Sequence, residues 1–180
     1  MGYRHSREDL LQGAVAVALD AGIGALTFKR VGDHLGISDR TVVYYFETKD
    51  VLITAVAVAL GDDLQQLLDH AFGEESLTVP DMLARAWPVL TTPAADRVFS
   101  LYFEIVGLAS AGTPPYVDFG PALVQGWIDW LAPRVRGGTS ATRRRKAASV
   151  VAQLDGLLLL RRIAGADVAR DAARELGIRS

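Results

Sequence analysis

The chain contains no cysteine and only three histidines. The lack of cysteine excludes disulfide bonds and thiolate chemistry, and it fits a reducing cytoplasm, where we expect the protein to be. The histidines show no spacing typical of a metal site, and H-E-x-x-H, G-x-S-x-G and P-loop patterns are missing. We therefore predict no catalytic residue, no metal site and no cofactor. A small helical enzyme is a remote alternative.

A strong charge of either sign is also missing. The net charge of -2 makes no general case for a nucleic-acid partner. The first 13 residues lack the apolar segment of a signal peptide, and we expect no membrane association. Half of the 180 residues are apolar and 22% are charged, which is typical of a globular chain rather than a disordered one.

Helical patterns fill almost the whole chain. No segment alternates apolar and polar residues with period two over the length of a strand, so we predict an all-α fold. Ser6 followed by Asp9 resembles a capping box, and Gly22 is a stop signal for the first helix. Thr27 and Ser38 are the predicted caps of two further, shorter helices.

Residues 28–46 show the pattern of a helix-turn-helix, in which two short helices cross at a tight turn. Gly32 supplies the small residue at the crossing, and Gly36 lies in the turn. Ser38 caps the second helix, so that the N-terminal residues of that helix point outward. An ordinary helical hairpin is the structural alternative. The predicted apolar positions are Val31, Leu35, Ile37 and Val42.

The segment GISDRTVVYYFETKDVL resembles the signature of the TetR (tetracycline-repressor-like) family, and the resemblance is specific over about residues 7–56. Val43 stands where family members usually carry a tyrosine that touches a DNA phosphate, and Arg40 replaces a usual glycine. The matching positions are Gly36, Ile37, Ser38, Thr41, Tyr44, Tyr45, Phe46, Lys49 and Leu52.

The resemblance implies a division of the chain into two domains. Residues 1–50 would form a three-helix DNA-binding domain with the helix-turn-helix, and a helix over about 48–72 would connect it to the rest. Residues 51–180 would form a helical ligand-sensing and dimerisation domain. The segment 73–80, which contains glycine and proline, is the predicted linker between helices.

The predicted DNA contacts lie in a domain that is not basic overall. Residues 1–50 hold six basic side chains, Arg4 among them, and seven acidic ones. The basic ones occupy places that face DNA by the resemblance. Arg40 is the predicted base-reading residue, because arginine pairs with guanine through two hydrogen bonds. Asp39 either accepts from cytosine or supports the helix N-terminus, and Tyr44 is predicted to pack rather than to contact DNA. The predicted DNA-binding residues are Lys29, Ser38, Asp39, Arg40, Thr41, Tyr45 and Lys49, with Lys29, Thr41, Tyr45 and Lys49 as phosphate anchors.

The C-terminal region is rich in aromatic residues. In the family that it resembles, the corresponding helices enclose a pocket for a small molecule, and aromatic walls suit such a pocket. Ordinary core packing is the alternative. For Glu104 we weigh a place in the pocket against an exposed helix face or a contact with Arg97, which we slightly prefer. The predicted ligand-binding residues are Trp87, Phe99, Tyr102, Phe103, Trp127 and Trp130.

A long helix over residues 140–164 carries the predicted dimer interface. The resemblance implies that the last two helices of each chain form a four-helix bundle in a homodimer. Paired recognition helices would then meet successive major grooves of a palindromic, double-stranded operator. The predicted interface residues are Val150, Leu154, Leu157, Leu158 and Arg161.

We therefore expect a transcriptional regulator, and more specifically a repressor that a small apolar or aromatic molecule releases from its operator. One alternative stays open within the same class. It is a helix-turn-helix regulator that a partner protein or its own abundance controls, without any small-molecule ligand.

Overall fold

The computed structural model describes residues 5–178. Nine α-helices account for most of these residues, and a short 3-10 helix, Ala132–Arg134, follows the seventh. The all-α prediction is confirmed. The helices are α1 (Arg7–Ala21), α2 (Phe28–Leu35), α3 (Asp39–Phe46), α4 (Lys49–Phe72), α5 (Val79–Leu90), α6 (Pro93–Ser110), α7 (Tyr116–Leu131), α8 (Ser140–Ala164) and α9 (Ala166–Glu175).

The first helices begin where the sequence predicts. The Ser6 hydroxyl accepts a hydrogen bond from the backbone N–H of Asp9 at 3.1 Å, and the Asp9 carboxylate accepts one from the backbone N–H of Ser6 at 2.7 Å. Thr27 caps α2 through the N–H of Arg30. Ser38 occupies the N-cap position of α3, but its hydroxyl lies 3.1 Å from the Thr41 hydroxyl instead of bonding a backbone N–H.

The predicted linker is partly ordered by packing. Leu77 is buried, and its N–H donates to the carbonyl of Arg134 at 2.8 Å. The carbonyl of Leu77 in turn accepts from the N–H of Arg136 at 2.7 Å, which makes an isolated parallel bridge with Val135. An apolar side chain in the middle of the segment thus ties it to the residues that follow α7.

The described residues divide into two compact units. The first contains the residues up to Asp63 and Leu101–Phe119, and the second contains Leu64–Ser100 and the residues from Gly120 onward. Helices α4, α6 and α7 each contribute residues to both units. The first unit extends past residue 50, where we placed the functional boundary, and that boundary stays a prediction.

Among the described residues, one helix, α4, is long and apolar enough to cross a membrane by its length and composition. Its apolar side is nevertheless a core face, because Leu52, Val56, Leu60, Leu64 and Leu68 are buried within the protein. This burial is what a core helix requires.

The predicted dimer-interface residues of α8 face the chain's own core, where α5 and α9 pack against this helix. Val150 is 0% exposed and Leu154 is 7% exposed, and Leu157 and Leu158 are also buried. Arg161 is paired with Asp96. The four aliphatic side chains therefore belong to the chain's own core, Arg161 is half-buried, and the dimer interface stays a prediction.

A different side of α8 is open to solvent. We call Ala152, Gly156, Leu159 and Ile163 the outer strip of α8, because each is exposed and they recur at intervals of three or four residues. Ile163 is 76% exposed. The two small residues leave room for the close approach of another helix, and the two large ones offer apolar surface to it.

Candidate nucleic-acid interface

The turn between α2 and α3 depends on a close approach of backbone to backbone. A Cβ atom on Gly32 would lie 2.8 Å from the carbonyl oxygen of Ile37 and 3.2 Å from the nitrogen of Asp39. The N–H of Ile37 donates to the carbonyl of Gly32 at 2.9 Å. Gly36 ends α2 with φ 68°, in the left-handed region that favours glycine. Both glycines therefore have the roles that the helix-turn-helix pattern predicts.

Helix α3 has a buried side and an exposed side. Val42 and Phe46 are buried and hold the helix to the rest of its unit. Tyr44 is 80% exposed, so the prediction that it packs is wrong. It meets Tyr45 edge-on, with ring centroids 5.2 Å apart. The exposed side chains of the helix are Asp39, Arg40, Val43 and Tyr44.

Asp39 and Arg40 begin α3 with different partners. One Asp39 carboxylate oxygen accepts the backbone N–H of Arg40 at 2.8 Å, as expected for a carboxylate that supports a helix N-terminus. None of the ion pairs among residues 5–178 includes Arg40. Its guanidinium is therefore free to approach a base edge, and Tyr44 stands four residues further along the same exposed side.

The predicted phosphate anchors differ in how they are held. Lys29 pairs with Asp33 at 2.7 Å, and this hydrogen bond raises the pKa of Lys29. The Thr41 hydroxyl lies beside that of Ser38, and the Tyr45 hydroxyl donates to the carbonyl of His5 at 3.3 Å. Tyr45 thus ties His5, which precedes α1, to α3.

Two further basic groups lie near the C-terminal end of α3. Lys49 is exposed at the start of α4, and the Arg7 guanidinium lies 4.9 Å from the centre of the Phe46 ring. Arg4 lies outside the described residues. The sequence analysis did not place Tyr44 on this surface. Its interval of four residues from Arg40, which puts both on one side of a helix, could have indicated it.

The N-terminal part of the chain is similar to a known protein family. Residues 10–56, which contain α2, α3 and the turn between them, match the family described as bacterial regulatory proteins, tetR family. Residues 10–56 are therefore a TetR-family DNA-binding domain, and the predicted resemblance is confirmed. The chain is a DNA-binding regulator of transcription.

Solved structures extend the likeness in fold to almost the whole chain. A structure described as a TetR-family transcriptional regulator from a Rhodococcus species has a TM-score of 0.74 at 17% identity, over 96% of this chain and 98% of that one. A TetR transcriptional regulator from Legionella pneumophila has a TM-score of 0.68 at 20% identity, over 98% and 97%. The multidrug binding protein EbrR, complexed with proflavin, has a TM-score of 0.66 at 21% identity, over 94% and 98%. At these identities the likeness shows the fold. No curated protein matches the chain in sequence.

Glu104 of α6 holds the connection between α1 and α2. Its two carboxylate oxygens accept the backbone N–H groups of Ile23 at 3.0 Å and Gly24 at 3.1 Å. The preferred prediction, an exposed face or a contact with Arg97, is wrong because the open turn after α1 offers two backbone donors. Two charge-assisted hydrogen bonds give the half-buried carboxylate its partners.

The predicted ligand-binding residues fall into both units. Tyr102 and Phe103 belong to the first unit, where their rings meet edge-on at 5.3 Å. In the second unit, Trp127 meets Trp130 edge-on at 5.7 Å, and Trp87 is buried.

Two neighbours cover the Trp130 ring. The Phe72 ring lies 6.0 Å from it, and the Arg134 guanidinium lies 3.9 Å from its centre. These contacts favour core packing for Trp130. Phe99, which is also in the second unit, lines a cavity with residues of α8.

Proposed function

We propose that this regulator is a homodimeric, cytoplasmic repressor that leaves its operator when a small apolar or aromatic molecule binds. The observation that carries the DNA-binding role is the exposed side of α3, where Arg40 has no ion-pair partner among the described residues. Arginine at the start of a recognition helix suits readout of guanine in the major groove.

The ligand response is supported by the fold and by the aromatic residues of the C-terminal half. EbrR, which shares the fold, is a multidrug binding protein and holds proflavin in its structure. A ligand that binds one conformation of the dimer better than another shifts the population toward it. Release follows if the favoured conformation moves the two recognition helices away from the operator spacing of about 34–36 Å.

The homodimer is supported by the outer strip of α8. Leu159 and Ile163 are exposed apolar side chains, α9 adds exposed Val168, and the exposed Leu176 directly follows α9. A second copy that packs the same two helices against them removes this apolar surface from water. We therefore assign the interface to the outer strip of α8 and to α9, in place of the buried residues that the sequence suggested.

The DNA-binding role is tested by selecting binding sites from a random duplex pool with the full-length protein and then titrating the selected site. Arg40→Ala should lower specific affinity by about 1–3 kcal/mol and relax one base position. Arg97→Ala is the matched control, because Arg97 is exposed on α6 and loses the same charge. Equal affinities for the Arg40→Ala and wild-type proteins would remove the base-reading role.

The ligand response is tested by repeating the operator titration with aromatic probes of different charge. The probes are proflavin, benzoate, benzyl alcohol and benzylamine. The proposal expects at least one of them to weaken operator binding and to raise the melting temperature of the free protein. Control by a partner protein or by abundance, the alternative, is favoured if none of the probes changes either quantity.

A further inference from the structure

A cavity of about 230 Å³ lies within the second unit, between the first half of α6 and the C-terminal end of α8. Its walls combine charged and apolar side chains. Drug-sized ligands usually occupy about 300–1,000 Å³, so this cavity suits a smaller molecule. The lining residues are Asp96, Phe99, Leu158, Arg161, Arg162 and Ala166.

The two arginines of the cavity have different roles. Arg161 is committed to the protein: Nε and Nη2 donate to the two carboxylate oxygens of Asp96 at 3.0 and 2.9 Å, and Nη2 also donates to the carbonyl of Thr91 at 3.1 Å. The hydrogen bond to Asp96 raises the pKa of Arg161. This bidentate pair cancels its own charge and fixes α8 to the start of α6.

Arg162 has no such neutralising partner. Its Nη2 donates to the Ser100 hydroxyl at 2.5 Å, and none of the ion pairs among residues 5–178 includes it. A guanidinium has five N–H donors, so donors remain available after the bond to the serine. With Asp96 and Arg161 paired, the lining of the cavity carries one uncompensated positive charge, at Arg162.

The remaining walls are apolar. Leu158 is buried, Phe99 is a half-buried aromatic ring, and Ala166 adds a small residue at the start of α9. A ligand that fits all of these walls has a compact apolar body and a single negative charge. Planar carboxylates match the fork of an arginine through two parallel hydrogen bonds.

We propose that this cavity binds a small aromatic carboxylate, with its carboxylate on Arg162 and its single ring against Phe99 and Leu158. The inference rests on the proposed function only in making the occupant an effector of DNA binding. Binding itself is a separate property of the second unit. The shape and charge of the cavity define the charge class and the size of the molecule that the regulator would sense.

Binding is tested by calorimetric titration of the full-length protein with benzoate, and with benzyl alcohol as the neutral analogue. We expect benzoate to bind at least tenfold more tightly than the alcohol. Arg162→Gln should remove this preference. Arg97→Gln, which deletes an exposed charge of α6 that does not line the cavity, should keep it. Benzoate binding that is absent, or unchanged in Arg162→Gln, would overturn the assignment.

The same variants in the operator titration separate the two proposals. Benzoate that binds through Arg162 and also weakens operator binding supports both the cavity and the ligand response. Benzoate that binds through Arg162 without changing operator affinity supports the cavity and contradicts its role as an effector site. Release of the operator by benzoate that persists in Arg162→Gln keeps the ligand response and overturns the cavity assignment.

Discussion

The turn between α2 and α3 and the long helix α8 show how differently two patterns constrain a fold. At the turn, Gly32 is required because a side chain there would meet the backbone at Ile37. On α8, apolar residues occupy both the side that faces the core and the outer strip, and their spacing does not tell the two apart. A glycine that backbone contacts require fixes the position of a turn in the sequence. Apolar residues at helical spacing predict only that this side of the helix is buried, and not whether the chain's own core or a second chain buries it.

The consequence is that the same kind of substitution should have opposite effects on the two sides of α8. Leu154→Glu would place a carboxylate without a partner in the core, which costs several kcal/mol, on the order of 3–5, and should prevent stable folding. Ile163→Glu adds the same charge at an exposed position and should leave a folded chain that no longer dimerises. Circular dichroism melts and sedimentation velocity measure the two outcomes.

These two variants also test the proposed interface. A folded, monomeric Leu154→Glu protein would return the interface to the side that we assign to the core. An Ile163→Glu protein that remains a dimer at micromolar concentration would move the interface away from the outer strip.

The two glycines of the turn provide a smaller and sharper contrast. Gly32→Ala should lower the free energy of unfolding by about 1–3 kcal/mol, because its Cβ would meet backbone atoms that have no room to move. Gly36→Ala meets nothing within 4 Å, and its cost of about 1 kcal/mol comes from the left-handed φ of 68° alone. Urea unfolding of both variants measures the difference. A larger loss of unfolding free energy in Gly36→Ala than in Gly32→Ala would show that the close backbone approach is not what requires glycine at residue 32.

Sequence was sufficient where a residue's role depends on its near neighbours. The caps at Ser6 and Thr27 and the turn at Gly36 follow from interactions within four residues, and the all-α fold follows from their repetition along the chain. The family signature added the function of α3. The exposure of Tyr44 was missed because an aromatic residue in a short helix more often packs than faces solvent.

Sequence was insufficient where partners lie far apart along the chain. Glu104 accepts a hydrogen bond from Ile23 across 81 residues, and because the donor is a backbone N–H, the sequence shows no complementary side chain to recognise. The cavity beside Arg162 likewise depends on how α6 and α8 pack in the second unit. Neither feature has a spacing from which to predict it.

The smallest expected effect on stability comes from the hydrogen bonds of Glu104. Within the first unit, they allow the turn after α1 to be compared with α3. Glu104→Gln keeps the shape of the side chain but replaces one acceptor oxygen by a donor, so one of the two hydrogen bonds to Ile23 and Gly24 is lost, at about 0.5–1.5 kcal/mol. Amide hydrogen exchange should therefore become faster at these two residues while α3 keeps its protection. Glu75→Gln, at an exposed position outside this unit, is the control and should change neither. Unchanged exchange at Ile23 and Gly24 would mean that the turn after α1 holds its shape without the carboxylate, and that its conformation is local after all.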